Sequence, residues 1–399
     1  MFTKKELRFY RKTTDIPRSL KSKLIYAVYL LIVVPTLTCA GYVLFRGHVM
    51  YNMFKHQRVW REGNPLIGDA KHGWTPQPNS EGIYHFYGET RELKFDSIGA
   101  RVTESDAEGG VLLALGCSWT EGAMVEAEET FTAVAAKQLD LRPINMGRGG
   151  QGYSQMQMLA EEYVTKIRPD VVLIQYSDWL VKRSMRLYAP THFGHRPNPY
   201  YSRNAAGNFE INPPVFYHEI SAYPGQSYRN NKFGPLEYTS FQYHIGLPFV
   251  LRDLYMLNLT KLKTRLDMTP KPLEMSEGNQ KRLTGFFYSK LVDLCLENDA
   301  KPVIVCIGSD PVSPQTQEIF ENIDSAVVVN AVDSMYSQLD EPTREQYYMR
   351  YGFWSGDPPE LVDKHPNAKS HEETGRLIAD AIISIYPEYA EISEQEIHQ

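Results

Sequence analysis

Val111-Leu112-Leu113-Ala114-Leu115-Gly116-Cys117-Ser118-Trp119-Thr120-Glu121-Gly122 opens with five apolar residues and closes on a serine between glycines. A short, wholly apolar run of this kind suits a strand covered on both faces of a parallel sheet. Glycines two before and four after Ser118 let the chain turn sharply and expose the hydroxyl at the N-terminus of the next helix. The second glycine comes too late for a G-x-S-x-G elbow.

The same rhythm continues down the chain. Residues 130–139 read as a helix with Phe131, Val134, Ala135 and Leu139 on one side, and Pro143-Ile144-Asn145 begins a second strand. Met156, Leu159, Tyr163 and Ile167 stripe a helix that stops at Pro169. Residues 171–176 form a third strand, 302–307 a fourth and 326–329 a fifth. A long helix carries Leu283, Phe287, Leu291, Leu294 and Cys295, and a closing helix carries Leu377, Ile378, Ala381, Ile382 and Ile385. Strands alternating with helices predict an α/β fold: a doubly wound, parallel five-stranded sheet in a flavodoxin-like three-layer arrangement. Residues 183–275, rich in Tyr, Phe, Pro and Asn and with a helical stretch near 247–266, are too long for a loop and predict an inserted cap.

Upstream, Gly73-Trp74-Thr75-Pro76-Gln77-Pro78-Asn79 reads as a turn-rich stretch before a small β-hairpin (Ile83, His85, Tyr87; Leu93, Phe95). Further back, residues 24–45, LIYAVYLLIVVPTLTCAGYVLF, contain no charge and are long enough to cross a hydrocarbon core. A cleaved signal peptide has a shorter apolar region ending in small residues, and Thr38-Cys39-Ala40 is a poor cleavage site, so the run is read as an uncleaved anchor. Pro35 sits mid-span, where membrane helices tolerate a kink.

Eight Lys and Arg (Lys4, Lys5, Arg8, Arg11, Lys12, Arg18, Lys21, Lys23) against Glu6 and Asp15 precede the run, which places the N-terminus in the cytoplasm. Removing these from the chain totals of 42 basic and 48 acidic residues leaves 34 against 46, a net of −12 for the rest. The domain organisation expected is therefore a basic tail (1–23), a single-pass helix (24–45), a connector with a hairpin (46–107), an extracytoplasmic α/β domain with its cap (108–386) and a C-terminal tail (387–399).

Composition excludes several classes. Of the 399 residues 42% are hydrophobic and 23% charged, values that leave no room for long disorder. The formal charge of −6 excludes a nucleic-acid binder, which needs concentrated cations. Four cysteines without a C-x-x-C pair give neither a zinc knuckle nor a disulfide framework. No cofactor and no metal are expected.

In open α/β sheets chemistry gathers beyond the carboxyl ends of the strands. Ser118 follows the first strand there. The Gly-rich turn Asn145-Met146-Gly147-Arg148-Gly149-Gly150-Gln151-Gly152 follows the second, and Gln175-Tyr176-Ser177-Asp178 ends the third. Asp363-Lys364-His365-Pro366-Asn367 precedes the last helix, placing an acid two residues before a base. Four such places, in this order, resemble the SGNH (GDSL-type) hydrolase family over roughly residues 108–182 and 300–386. The 73–78 stretch with the hairpin resembles the leader of its membrane-anchored members. The resemblance implies Ser118 as nucleophile, His365 as base, Asp363 as its orienting acid, and Ser118, Gly150 and Ser177 as the oxyanion hole. Those are the groups an acyl transfer needs: an imidazole to take the serine proton, a carboxylate to hold its tautomer, and donors aimed at the oxyanion.

Two positions depart from the family pattern. Cys117 stands where the G-D-S opening has Asp, and Ser177 where G-x-N-D has Asn. A hydroxyl reaches less far than an amide, so restoring the amide with Ser177→Asn is expected to raise the rate of a live enzyme by up to about 10²-fold. His371 is read as a capping or packing residue, Cys117 as pointing into the core, and a metal cluster of Asp363, His365 and His371 as remote. The tyrosines of the cap (Tyr188, Tyr200, Tyr201, Tyr217, Tyr223, Tyr228, Tyr238, Tyr243) suit sugar stacking or plain packing, and Asn258-Leu259-Thr260 is a glycosylation sequon by pattern alone.

Three functions stand open at this point. The first is a membrane-anchored esterase that removes acyl groups, acetyl foremost, from an extracytoplasmic glycan. The second is an O-acetyltransferase for a cell-envelope polysaccharide using the same residues. The third is an inactive scaffold subunit of a membrane complex. The partners implied are an acylated carbohydrate or other small ester, the membrane through residues 24–45 and, for the third, partner subunits.

Overall fold

The computed structural model describes residues 18–37, 39–41, 44, 59–62, 65–86, 89–107, 109–191, 194–214, 270–355 and 358–390. Most of the expected cap, including its helical stretch, the sequon, and Tyr217, Tyr223, Tyr228, Tyr238 and Tyr243, lies outside the described residues, as does most of the basic tail.

The helix Leu20–Gly41 has 22 residues and a mean hydropathy of 2.0 in its most apolar window, none of it buried. Its length and composition are those of a membrane span or of a signal sequence. Pro35 has no N–H to donate, and just ahead of it the ladder widens to a π-turn over Tyr29–Val33, with Val34 N–H donating to Tyr29 O.

Four leader strands form two hairpins, with β1 (Val59–Glu62) added to the second. Strand β2 (Leu66–Asp69) pairs antiparallel with β3 (Gly73–Pro76), and β4 (Ser80–Phe86) pairs with β5 (Glu89–Phe95). The 73–76 stretch, expected as turn, is thus a strand. Gly73 at φ +81° makes the reversal, and burial of the Trp74 indole holds the strand in place. Single antiparallel bridges from Phe95 to Arg101 and from Arg101 to Asn145 join this leader to the edge of the main sheet.

The main sheet is parallel and five-stranded, as expected. Its strands are β6 (Val111–Leu115), β7 (Arg142–Asn145), β8 (Val171–Tyr176), β13 (Lys301–Cys306) and β14 (Val327–Asn330), in the order β14-β13-β8-β6-β7. Counting only these five, the order is the flavodoxin-like 2-1-3-4-5, with β6 and β8 flanking the point where the winding reverses. Leu112 to Leu115 and Val171 to Ile174 are buried throughout, because helices cover both faces. Helices α2 (Phe131–Gln138) and α9 (Ala368–Ile385) pack together, as do α3 (Tyr153–Ile167) and α5 (Glu277–Leu296). The caps are local: Thr130 Oγ1 accepts from Ala133 N–H, and Ser276 Oγ from Asn279 N–H.

Between β8 and α5 the described part of the insertion holds α4 (Asp178–Ser184) and two small hairpins. These are β9 (Tyr188–Thr191) with β10 (Gly194–Pro197), and β11 (Tyr200–Arg203) with β12 (Phe209–Asn212). Tyr200 and Tyr201 are buried, their hydroxyls donating to Pro270 O and Gln157 Oε1, which is packing rather than an open stacking face. Towards the C-terminus the sequence reading missed α6 (Pro314–Glu321), α7 (Ala331–Ser337), α8 (Arg344–Tyr351) and the hairpin of β15 (Phe353–Ser355) with β16 (Glu360–Asp363). That hairpin carries Asp363.

Candidate active site

Ser118 begins α1 (Ser118–Glu121), a single turn that follows β6 through Gly116 and Cys117. A Cβ on Gly116 would lie 2.0 Å from Thr120 Oγ1 and 2.3 Å from Gln175 Oε1, so only glycine admits the turn. Gly122, in the left-handed region at φ +64°, ends it. The Cys117 thiol is buried and makes no approach to solvent.

The base arrives from the opposite end of the sequence. His365 N–H and Nδ1 both lie on Asp363 Oδ1, at 2.6 and 2.5 Å, and Nε2 lies 2.8 Å from Ser118 Oγ. The Asp363 side chain is 3% exposed and that of His365 27%, so the carboxylate is dry while the imidazole reaches solvent. With Nδ1–H donated to the carboxylate, Nε2 carries the lone pair that faces the serine proton. Asn367 fixes this loop by donating to Arg350 O and Gly352 O while its Oδ1 caps α9 through Ser370 N–H.

The Gly-rich turn stands beside Ser118, with a Cβ on Gly149 only 3.8 Å from Ser118 Cβ. Asn145 ties the two turns together, donating to Thr120 O at 2.7 Å and accepting from Gly147 N–H at 2.9 Å. Gly150 has φ +84°. Among the described residues, neither the Ser118 N–H nor the Gly150 N–H has an acceptor. Both are half-buried, which is the condition of donors left open for a ligand oxygen.

Ser177 departs from the expectation. Only 1% exposed, its hydroxyl donates to Ile307 O at 2.6 Å and accepts from Gln175 Nε2 at 2.8 Å. The end of β8 runs beside the end of β13, which brings that carbonyl within reach, and a hydroxyl has one proton to give. In this arrangement Ser177 does not serve the oxyanion hole.

Gln175, which the sequence reading passed over, takes the structural part instead. Its Oε1 accepts from Cys117 N–H at 2.7 Å and Thr120 Oγ1–H at 2.8 Å, and its Nε2 also reaches Cys117 Sγ at 3.3 Å. It fills the space left by Gly116 and holds the serine turn onto the sheet. Its signal in the sequence is an amide inside an apolar strand, where a buried polar group requires partners.

Two cations are buried nearby. Arg101 donates to the Glu121, Gly122 and Val125 carbonyls, and Arg148 to Thr75 Oγ1. Burial pushes both guanidinium pKa values down to about 10, with Glu121 opposing. Trp119 lies 5.1 Å from Trp179 and 6.3 Å from His365 between ring centroids, forming an indole wall beside the base.

His371 is buried in α9, accepts from Phe131 N–H at the start of α2 at 3.2 Å and stacks on the Phe131 ring, in line with the capping or packing role expected of it. Burial, with Arg101 and His365 adding to it, pushes its pKa down to about 3. Among the described residues no group of three His, Cys, Asp or Glu side chains converges on a metal position, and the four cysteines are free.

A 2-1-3-4-5 parallel sheet with Ser118, the Gly150 turn, Ser177 and the Asp363–His365 pair grouped beyond its carboxyl edge decides the architecture. It is a doubly wound, SGNH-like α/β fold. No protein-family model and no curated protein matches the chain. Similar solved structures include a GDSL-like lipase from Bacteroides thetaiotaomicron, at 11% identity over 71% of this chain and 93% of that one, with a TM-score of 0.32. An acetylxylan esterase from Geobacillus stearothermophilus is 12% identical over 70% of this chain and 95% of that one, with a TM-score of 0.34. A carbohydrate esterase family 2 enzyme with a carbohydrate-binding domain, from Corynascus thermopiles, is 12% identical over 76% and 72%, with a TM-score of 0.33. At such distances function has to be argued from this chain's own side chains.

Proposed function

We propose that the protein is a membrane-anchored serine esterase of SGNH type, working outside the cytoplasm on O-acyl esters of a glycan, with acetyl the foremost acyl group. The observation that carries the reading is the Ser118–His365–Asp363 relay, with contacts of 2.8 and 2.5 Å. The glycan and acetyl parts rest on the family resemblance. The location rests on the charge asymmetry about the apolar helix.

In the reaction His365 Nε2 takes the Ser118 proton as Oγ attacks the ester carbonyl carbon. The resulting oxyanion accepts from the Ser118 and Gly150 N–H groups, and Asp363 stabilises the imidazolium. Collapse breaks the bond to the sugar oxygen, which takes the proton from His365, leaving acyl-Ser118. Water, deprotonated by the same imidazole, then attacks the acyl carbon, and the bond to Ser118 Oγ breaks as His365 returns the proton to it, releasing the carboxylic acid. Trp119 and Trp179 supply an apolar wall for the acyl group or the sugar face.

Transfer to a second sugar hydroxyl in place of water uses the same residues. The scaffold alternative has one observation on its side, the engagement of Ser177 Oγ with Ile307 O, which leaves two backbone donors where the family has a third from a side chain. Acid release from an acetylated oligosaccharide, with and without an unacetylated acceptor, tests the proposal. Release that depends on Ser118 supports the esterase, acetyl appearing on the acceptor supports the transferase, and neither product sinks both.

A further inference from the structure

Leader strand β3 stands against the Gly-rich turn. Trp74 is 1% exposed and its Nε1–H donates to Gly149 O at 3.2 Å. The next residue, Thr75, accepts from the buried Arg148 guanidinium at 2.8 Å. A Cβ on Gly99 would stand 3.3 Å from Pro76 O and 3.4 Å from Arg148 Nη2, so the same guanidinium is enclosed by two stretches of the leader. Adjacent leader residues thus hold adjacent residues of the turn.

Gly149 O and Gly150 N–H belong to one peptide unit. That unit is planar and trans, so its carbonyl and its N–H point in opposite directions. A donor gripping the carbonyl from the leader side therefore turns the N–H away from the leader, where it has no acceptor among the described residues and is open to a ligand oxygen. Glycine on both sides of the unit makes the grip necessary, because Gly149 and Gly150 tolerate either sign of φ and a flip of the peptide meets no Cβ. A flipped unit would present a carbonyl oxygen to the oxyanion instead of a donor.

We infer that Trp74, from the juxtamembrane leader, is a positioning residue that locks the Gly149–Gly150 peptide in its donor orientation. The inference rests on the proposed esterase reading. It makes the leader part of the working site: Trp74 acts through the Gly150 N–H and touches no substrate.

Full-length protein in detergent, with a small p-nitrophenyl acyl ester as substrate, provides the test. Trp74→Phe keeps a ring in the site and removes the N–H. Replacing Trp74 with 3-benzothienylalanine, in which sulfur stands for the indole nitrogen, removes the donor with almost no change of shape and guards against a folding defect. Loss of a single oxyanion donor costs about 10²–10³ in rate, and a peptide that flips part of the time loses less. Both substitutions are expected to lower kcat about 10- to 100-fold with KM within about twofold. Binding of a boronic acid, which mimics the tetrahedral state, should weaken in parallel. A benzothienyl protein with wild-type kcat and boronate affinity overturns the inference while leaving the esterase reading intact. A wild-type protein without turnover or boronate binding overturns that reading and the inference with it.

Discussion

His365 Nε2 lies 2.8 Å from Ser118 Oγ although 247 residues separate them, and the buried Asp363 holds the far nitrogen of the same ring. The contact is built by two pieces, the one-turn helix after β6 and the loop between β16 and α9. Replacing Asp363 with Asn would put an N–H donor opposite Nδ1 and favour the tautomer with a proton on Nε2, where the serine proton must go. Asp363→Asn is expected to lower kcat for a small ester by about 10³–10⁴ with little change in the thermal midpoint.

Ser177 gives the opposite expectation. Because its proton goes to Ile307 O, Ser177→Ala should leave kcat within about threefold while costing about 1–2 kcal/mol of stability through the unsatisfied carbonyl. Ser177→Asn, which the sequence alone favours as a gain, should instead overpack a buried site and destabilise by about 1–3 kcal/mol without raising the rate. Denaturant unfolding with parallel ester turnover checks both; a hundredfold loss of kcat in Ser177→Ala at unchanged stability would restore Ser177 to the oxyanion hole.

Gln175→Leu removes the acceptor shared by Cys117 N–H and Thr120 Oγ1. Each buried donor left unpaired costs about 1–3 kcal/mol, so a loss of roughly 2–5 kcal/mol is expected by denaturant titration. Turnover should fall as well, since the serine turn loses its anchor to the sheet.

His371 makes stability acid-sensitive. The folded protein holds its pKa at about 3, below the usual 6.5, so above pH 6.5 neither state binds the proton and the stabilisation is complete. As pH falls from 6.5 toward 3 the unfolded chain takes up a proton that the folded chain refuses, and stability drops by up to about 1.4 kcal/mol per pH unit from this residue. His371→Asn, whose side-chain oxygen can still accept from Phe131 N–H, should flatten the fall in thermal midpoint between pH 6.5 and 4. An unchanged slope would place the acid sensitivity elsewhere.

These expectations also mark how much of the molecule was legible in its sequence. The apolar runs at 111–115 and 171–176 identified parallel strands because a two-sided core leaves no alternation to misread, while the order of the five strands within the doubly wound sheet came only from the folded chain. Ser118, Gly150, Asp363 and His365 stood out as candidates because each follows a strand end or precedes a helix in a recognisable order, and the folded chain brings Ser118, His365 and Asp363 into hydrogen-bonding contact. The partner of the Ser177 hydroxyl was not legible, since it is the Ile307 main chain, 130 residues away, and a carbonyl carries no side-chain signature. Trp74 and Gln175 were passed over for a related reason: both act on backbone groups of another turn, a relation that only the folded chain reveals.

The serine itself is the most direct test of the esterase reading. A fluorophosphonate probe applied to the folded, full-length protein is expected to modify one residue, Ser118, identified by mass spectrometry of the labelled peptide. Labelling should be abolished in Ser118→Ala and strongly slowed in Asp363→Asn. A protein that is folded by its thermal transition yet takes up no probe at Ser118 would contradict the catalytic reading.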